Sequence, residues 1–171
     1  REKSKTKDDP HGVMDKTKAT LNYLDTNRDK PVFAYVAHHS VHTPIKGKPE
    51  LVEKYIKKGY EKAKTKNCKA GECDIRPADY LAMIDYFDQG FGALMDGIKE
   101  LNLERETIVI FMSDNGALSR LWDNAPLRGG KGSQYEGGVR VPLVMHWPSK
   151  IKEGRVSNVP VHLVDLFPTF M

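Results

Sequence analysis

The chain has 171 residues, 39% of them hydrophobic and 29% charged, the size and balance of one soluble globular domain or of a piece of a larger one. No window approaches the roughly 18 consecutive apolar residues of a membrane helix. The net charge is +4, and the lysines are spread along the chain, densest at Lys3–Lys7 and Lys54–Lys69, which argues against a nucleic-acid partner but leaves a mild positive field suited to an anionic substrate.

Residues 1–10 are charged and read as an exposed connector. From about Val13 to Asn27, Val13, Leu21 and Leu24 recur at near-helical spacing and predict an amphipathic helix. After Pro31, the run Val32-Phe33-Ala34-Tyr35-Val36-Ala37 is continuously apolar and rich in β-formers, the pattern of a strand buried on both faces. Residues 38–76 read mostly as loop, with a short helix near Glu50–Lys57. A connection this long inside a compact domain is usually functional or packed by other segments.

Cys68 and Cys73 lie in that stretch. Their spacing and polar surroundings allow a short-loop disulfide in an oxidising compartment, while the lack of a second Cys or His pair at matching spacing argues against a zinc site. Pro77 can occupy the first turn of the strongest predicted helix. Along it Leu81, Ile84, Phe87, Phe91, Leu94, Ile98 and Leu101 step by three or four residues, the stripe of a core helix. Thr107–Met112 reads as a second buried strand, and Pro142–Trp147 as a third, ended by Pro148. Between them lies a glycine-rich loop, Arg128 to Gly138, and Val161 to Phe170 reads as the start of a helix. Helices alternating with buried strands predict an α/β fold with a mainly parallel sheet.

In parallel α/β sheets, ligands bind beyond the carboxyl ends of the strands. Two polar groups occupy that position here. His38-His39-Ser40-Val41-His42-Thr43-Pro44 follows the first strand, and Ser113-Asp114-Asn115-Gly116 follows the second. If those strands are parallel, the two loops share one rim. Asp114 and Asn115 are hard oxygen donors suited to Ca²⁺ or Mg²⁺, although two ligands cannot complete a site and Asp-Asn-Gly is also an ordinary turn sequence. Histidine titrates near neutrality and can pass a proton to a leaving group, and three histidines lie within five residues here. Lys131 sits between Gly130 and Gly132, where it can meet an oxyanion as a compact charge. The order of glycines is not that of a phosphate-binding P-loop.

Together these segments resemble the type I sulfatases of the alkaline phosphatase superfamily, from about residue 12 to the end. The resemblance rests on Ala37-His38-His39-Ser40-Val41-His42-Thr43-Pro44, then Ser113-Asp114-Asn115-Gly116, then Gly130-Lys131-Gly132 leading into Tyr135-Glu136-Gly137-Gly138-Val139-Arg140-Val141-Pro142. Asp165-Leu166-Phe167-Pro168-Thr169 is similar to the family's next helix. The resemblance implies that Asp114 and Asn115 help bind one Ca²⁺ (or Mg²⁺), that His42 contacts the sulfate and assists the leaving oxygen, and that Lys131 binds a sulfate oxygen. It further implies a sulfate-ester substrate, commonly a sulfated carbohydrate, and an exported or lysosomal setting.

The family's nucleophile is a formylglycine made within a Cys/Ser-x-Pro-x-Arg motif. No such motif occurs in these 171 residues; Cys73-Asp74-Ile75-Arg76 has Ile where Pro is needed. Residues 11–171 are therefore expected to be a partial catalytic domain without the N-terminal nucleophile segment or the C-terminal subdomain, inactive alone. Two alternatives share the fold. One is a phosphodiesterase or phosphomonoesterase, whose two-metal sites usually carry Asp-His-Gly in place of Asp114-Asn115-Gly116; a neutral Asn favours a single hard cation. The other is a non-catalytic homologue that binds sulfated glycans.

Overall fold

The computed structural model describes residues 8–61, 76–119 and 122–171. In chain order the elements are α1 (Val13–Thr26), α2 (Pro49–Lys57), α3 (Pro77–Glu100), β1 (Val109–Met112), α4 (Glu136–Val139), β2 (Leu143–His146) and α5 (Leu166–Phe170). Short 3-10 turns precede α1, β1 and α5. Cys68 and Cys73, with the disulfide expected of them, lie outside the described residues.

Local chemistry sets where the helices begin. Pro49 and Pro77 open α2 and α3, and Lys48 and Arg76 before them are extended, as the residue before a proline must largely be. In α2, Glu50 stands in the first turn and Lys54 and Lys57 in the last, the order that suits the helix dipole. Helix α1 starts differently. Gly12 precedes it and has no side chain to cap with. Asp9 reaches over instead, accepting from the backbone N–H groups of Met14 at 3.1 Å and Asp15 at 2.9 Å. Its carboxylate also accepts from the Tyr86 hydroxyl at 3.1 Å, tying the start of α1 to α3. Within the stretch expected to be an exposed connector, Asp9 is thus buried.

Helix α3 is the centre of the packing, with α1 and α2 against it. Where α1 crosses, α3 presents Gly90 and Gly97; a Cβ on Gly90 would come within 2.3 Å of Val13, which is fully buried. The Thr17 hydroxyl lies 3.1 Å from the carbonyls of both Val13 and Gly90. Where α2 meets α3, Val52, Ala78 and Ala82 form a small core flanked by Leu51, Tyr55 and Ile56.

Of the large-residue stripe that the periodicity picks out on α3, Ile98 is deeply buried, but most of the deeply buried face lies beside that stripe, at Ala78, Tyr80, Ala82, Met83, Tyr86, Gly90 and Gly97. Small residues let the helices approach, so Ala78, Ala82, Gly90 and Gly97 are buried between them. The aromatic part of the stripe turns to the strands: Phe87 and Phe91 pack on Phe111 of β1, with ring centroids 6.0 and 5.5 Å apart. Ile84 of the same stripe is 41% exposed.

Two of the three expected strands form, and they pair antiparallel, with Val109 opposite His146 and Met112 opposite Leu143. Helix α3 meets this pair through Phe87 and Phe91 on Phe111, and the pairing among the described residues is not parallel. The apolar run 32–37 lies in no ladder, and Phe33 and Tyr35 are 81% and 84% exposed. A strand exists only where a neighbouring backbone accepts it, and no described segment does so for this run.

Candidate functional site

The antiparallel pairing decides the geometry of the polar loops. Because Met112 stands opposite Leu143, the long connection 113–142 leaves and returns at the same rim of the strand pair. Its two polar segments are bonded together there. Gly116 N–H donates to the Gly138 carbonyl at 2.9 Å, and Lys131 N–H donates to the Ala117 carbonyl at 2.9 Å. Gly137 N–H donates to Arg128 O at 2.8 Å, closing the glycine-rich loop on itself. The Asn124 amide lies 3.1 Å from the carbonyls of both Ala117 and Gly129, a clasp across the connection.

Glycine is needed where these backbones touch. A Cβ on Gly116 would stand 1.8 Å from the Gly137 oxygen, and one on Gly137 would stand 2.3 Å from the Gly129 oxygen. Gly132, next to Lys131, has φ +85°, a conformation that side chains disfavour. The buried scaffold is backbone, at Gly130, Gly137 and Gly138, while the Asp114 and Lys131 side chains stand exposed at its surface.

Among the described residues, neither the Asp114 carboxylate, the Asn115 amide nor the Lys131 ammonium makes a hydrogen bond or ion pair. The Ser113 hydroxyl donates to the Asn115 carbonyl at 2.9 Å, which tightens the turn through the backbone of Asn115 and not its side chain. A carboxylate and an amide oxygen on adjacent residues of a fixed turn are donors of the kind a hard divalent cation takes. No set of three or more His, Cys, Asp or Glu side chains suited to a metal occurs among the described residues, so further ligands would have to come from elsewhere.

The histidine loop is organised separately. His38 packs edge-on against Phe87 at 4.8 Å, and Phe87 in turn meets Phe111 near the end of β1. The His38 Nδ1 is buried without a hydrogen-bond partner. Burial holds this imidazole below its ordinary pKa of 6.5; Lys16 adds to the effect and Asp9 opposes it. The His39 ring stacks on His11 at 5.4 Å and lies 5.2 Å from the His42 ring. His42 Nδ1 lies 3.1 Å from the Thr43 carbonyl and 3.2 Å from the Thr43 hydroxyl, which leaves Nε2 as the outward nitrogen of an exposed ring.

Asp114, Asn115 and Lys131 are thus brought into one hydrogen-bonded loop assembly. Among the described residues, no hydrogen bond, ion pair or ring contact joins His42 to Asp114 or Lys131. Its loop reaches β1 through the His38, Phe87 and Phe111 rings. Sequence reading did not single out Asn124, whose importance lies in two contacts across the connection. It also passed over Trp122, whose ring meets those of Tyr60 and Tyr80 at 6.4 and 6.3 Å. Neither residue sits in a recognisable local pattern, so the sequence carries no signal for them.

Comparison with known proteins places this geometry. The sulfatase family model matches residues 3–171. A sulfatase of Formosa agariphila is 36% identical over 163 residues, covering 88% of this chain and 28% of the relative. Human arylsulfatase A is 34% identical over 146 residues, covering 83% of this chain and 25% of the relative. The crystal structure of Ps i-CgsB in complex with k-i-k-neocarrahexaose superposes with a TM-score of 0.76 at 34% identity, covering 92% of this chain and 33% of that one. The chain spans about a quarter to a third of the length of these relatives. With a family model matched along nearly its whole length, and with relatives and a superposable structure in agreement, the chain belongs to the sulfatase family, as part of a type I sulfatase.

Proposed function

We propose that this chain supplies one wall of a sulfuric ester hydrolase site, in which Asp114 and Asn115 hold a Ca²⁺ (or Mg²⁺) ion and Lys131 and His42 serve the sulfate group. The observation that carries the reading is the backbone bonding of the Asp114 turn to the Lys131 loop, which sets two oxygen donors and an ammonium group, all without partners among the described residues, on one scaffold.

A bound cation would draw negative charge from a sulfate oxygen. The residues themselves do the rest. Lys131 pairs with a second sulfate oxygen and stabilises charge that grows during S–O cleavage. His42, its Nδ1 turned to Thr43, presents Nε2 outward and, when protonated, gives that proton to the departing alcohol oxygen. The neutral Asn115 beside Asp114 favours one hard cation over two borderline ones, and so sulfate over phosphate esters. The nucleophile belongs to a formylglycine outside these residues.

The substrate is read as a sulfated carbohydrate, supported by the neocarrahexaose complex of the similar Ps i-CgsB. No described helix is long and apolar enough to cross a membrane. The relatedness to other sulfatases supports an exported or lysosomal setting for the intact protein.

The test is hydrolysis by the intact protein of matched sulfate and phosphate esters, repeated for Lys131→Ala and His42→Ala. Sulfate esters should be preferred, and each substitution should lower their turnover about 10²–10³-fold with an unchanged circular dichroism spectrum. Near-wild-type turnover in either variant, or a preference for phosphate, would contradict the assignment.

A further inference from the structure

We propose that Tyr60 and Trp122 form a carbohydrate-binding platform beside the sulfate site, which takes a neighbouring sugar unit of a sulfated oligosaccharide. The proposal rests on the carbohydrate reading above, but its evidence is separate.

Trp122 lies in the part of the connection between Ala117 and Asn124, whose two ends meet through the Asn124 clasp. Its backbone N–H donates to the Leu118 carbonyl at 3.1 Å. The same Ala117 carbonyl that receives Asn124 also receives the Lys131 N–H, so the platform and the Lys131 loop share an anchoring atom. Tyr60 is fixed where α2 ends and α3 begins: its N–H donates to Tyr55 O at 3.1 Å, and its carbonyl accepts from Ala78 N–H at 3.1 Å.

Tyr80, on α3, is buried and stacks on Trp122 with the ring planes 30° apart. Trp122 and Tyr60, their planes 39° apart, remain 39% and 42% exposed. Partly exposed aromatic rings held by other rings suit the C–H face of a sugar ring, because little side-chain freedom remains to be lost on binding.

The charges nearby select an anionic ligand. Tyr55 meets Tyr60 at 6.3 Å and carries the Lys54 and Lys58 ammonium groups over its ring, at 5.4 and 5.3 Å. Lys54 is bonded to Asp85 at 2.5 Å. Lys58 has no carboxylate partner among the described residues, so its charge is available to a sulfate on the bound sugar. A neutral sugar would leave that charge unused, and an apolar protein partner would have to desolvate it.

The experiment uses the intact protein, with k-i-k-neocarrahexaose as the oligosaccharide probe and a small aryl sulfate as the comparison substrate. Calorimetric binding of the hexasaccharide is read independently of turnover. Trp122→Ala and Tyr60→Ala should each weaken hexasaccharide binding and raise its KM about tenfold, with kcat and aryl sulfate hydrolysis unchanged. Lys58→Ala should do the same more weakly, and less so as salt is raised. Weakened binding in a protein that hydrolyses neither ester would uphold the platform while refuting the hydrolase reading. The platform is overturned if the wild-type protein does not bind the hexasaccharide, if the variants bind it normally, or if aryl sulfate hydrolysis falls in parallel, since the last would show that Trp122 only supports the loop.

Discussion

Gly116 and Gly138 meet backbone to backbone, with the Gly116 N–H donating to the Gly138 carbonyl at 2.9 Å. Twenty-two residues apart in the chain, they join the turn carrying Asp114 and Asn115 to the loop carrying Lys131. The junction works only without side chains, because Gly137, adjacent to Gly138, has its carbonyl where a Gly116 Cβ would stand.

Gly116→Ala should therefore force the two segments apart. The obstacle is backbone, which cannot swing aside as a side chain can. A loss of about 1–3 kcal/mol of stability is expected, typical of overpacking. Sulfate-ester hydrolysis should fall with it. Denaturant midpoints for the intact protein measure the first effect, and an unchanged midpoint together with normal turnover would show that the junction is dispensable.

Asn124→Ala should loosen the same region without a clash. The amide lies within bonding distance of two carbonyls, of Ala117 and Gly129, and its loss removes that donor from Gly129 and leaves Ala117 with the Lys131 N–H alone. A cost of about 1–2 kcal/mol is expected where water cannot replace it. Hydrogen exchange should show the Lys131 amide, bonded to Ala117, becoming less protected than in the wild type. Protection equal to wild type at that amide would mean that Asn124 clasps nothing of consequence.

The half-buried His38 makes stability fall in acid. Its folded pKa lies below the ordinary 6.5, chiefly because of burial. As pH drops through about 6.5, the unfolded chain takes up a proton that the folded protein resists, so the contribution is present above that pH and is lost below it. His11, also lowered first by burial, acts in the same direction. Each can contribute a slope of at most about 1.4 kcal/mol per pH unit. His38→Leu should make the difference in denaturation midpoint between about pH 8 and about pH 5 smaller than in the wild type. Equal differences would show that His38 does not titrate with folding.

Much of this was legible in the sequence, and the exceptions have physical causes. Helices α1 and α3 announce themselves through periodicity, and α3 also through Pro77, while α2 falls where a short helix is expected near Glu50–Lys57. The apolar runs at β1 and β2 mark real strands, but a run of residues cannot state its partner or its direction, and the pair proved antiparallel. The run 32–37 has the composition of a strand and no described neighbour to pair with. The α3 stripe misled because periodicity rewards large residues, whereas close helix crossing buries small ones such as Gly90. Asp9 capping α1 across Gly12 was hidden because the cap is not adjacent to the helix it serves.

At the site, the expected route of two parallel strands sharing a rim would have joined the histidine loop to the Asp114 turn, and the described strand pair is not of that kind. The Asp114 turn meets the Lys131 loop instead, because the single long connection of an antiparallel pair returns to its starting edge. The placement of His42 depends on that missing first strand, and its own contacts stay with His39 and Thr43.

The position of His42 relative to Lys131 and Asp114 is accordingly what a crystal structure of the intact protein, soaked with inorganic sulfate and Ca²⁺, should measure. The account predicts one sulfate within hydrogen-bond reach, about 2.6–3.2 Å, of both Lys131 Nζ and a His42 ring nitrogen, with the cation on Asp114 and Asn115 against the same anion. A sulfate bound by Lys131 with His42 pointing elsewhere, or a cation that avoids Asp114, would contradict it.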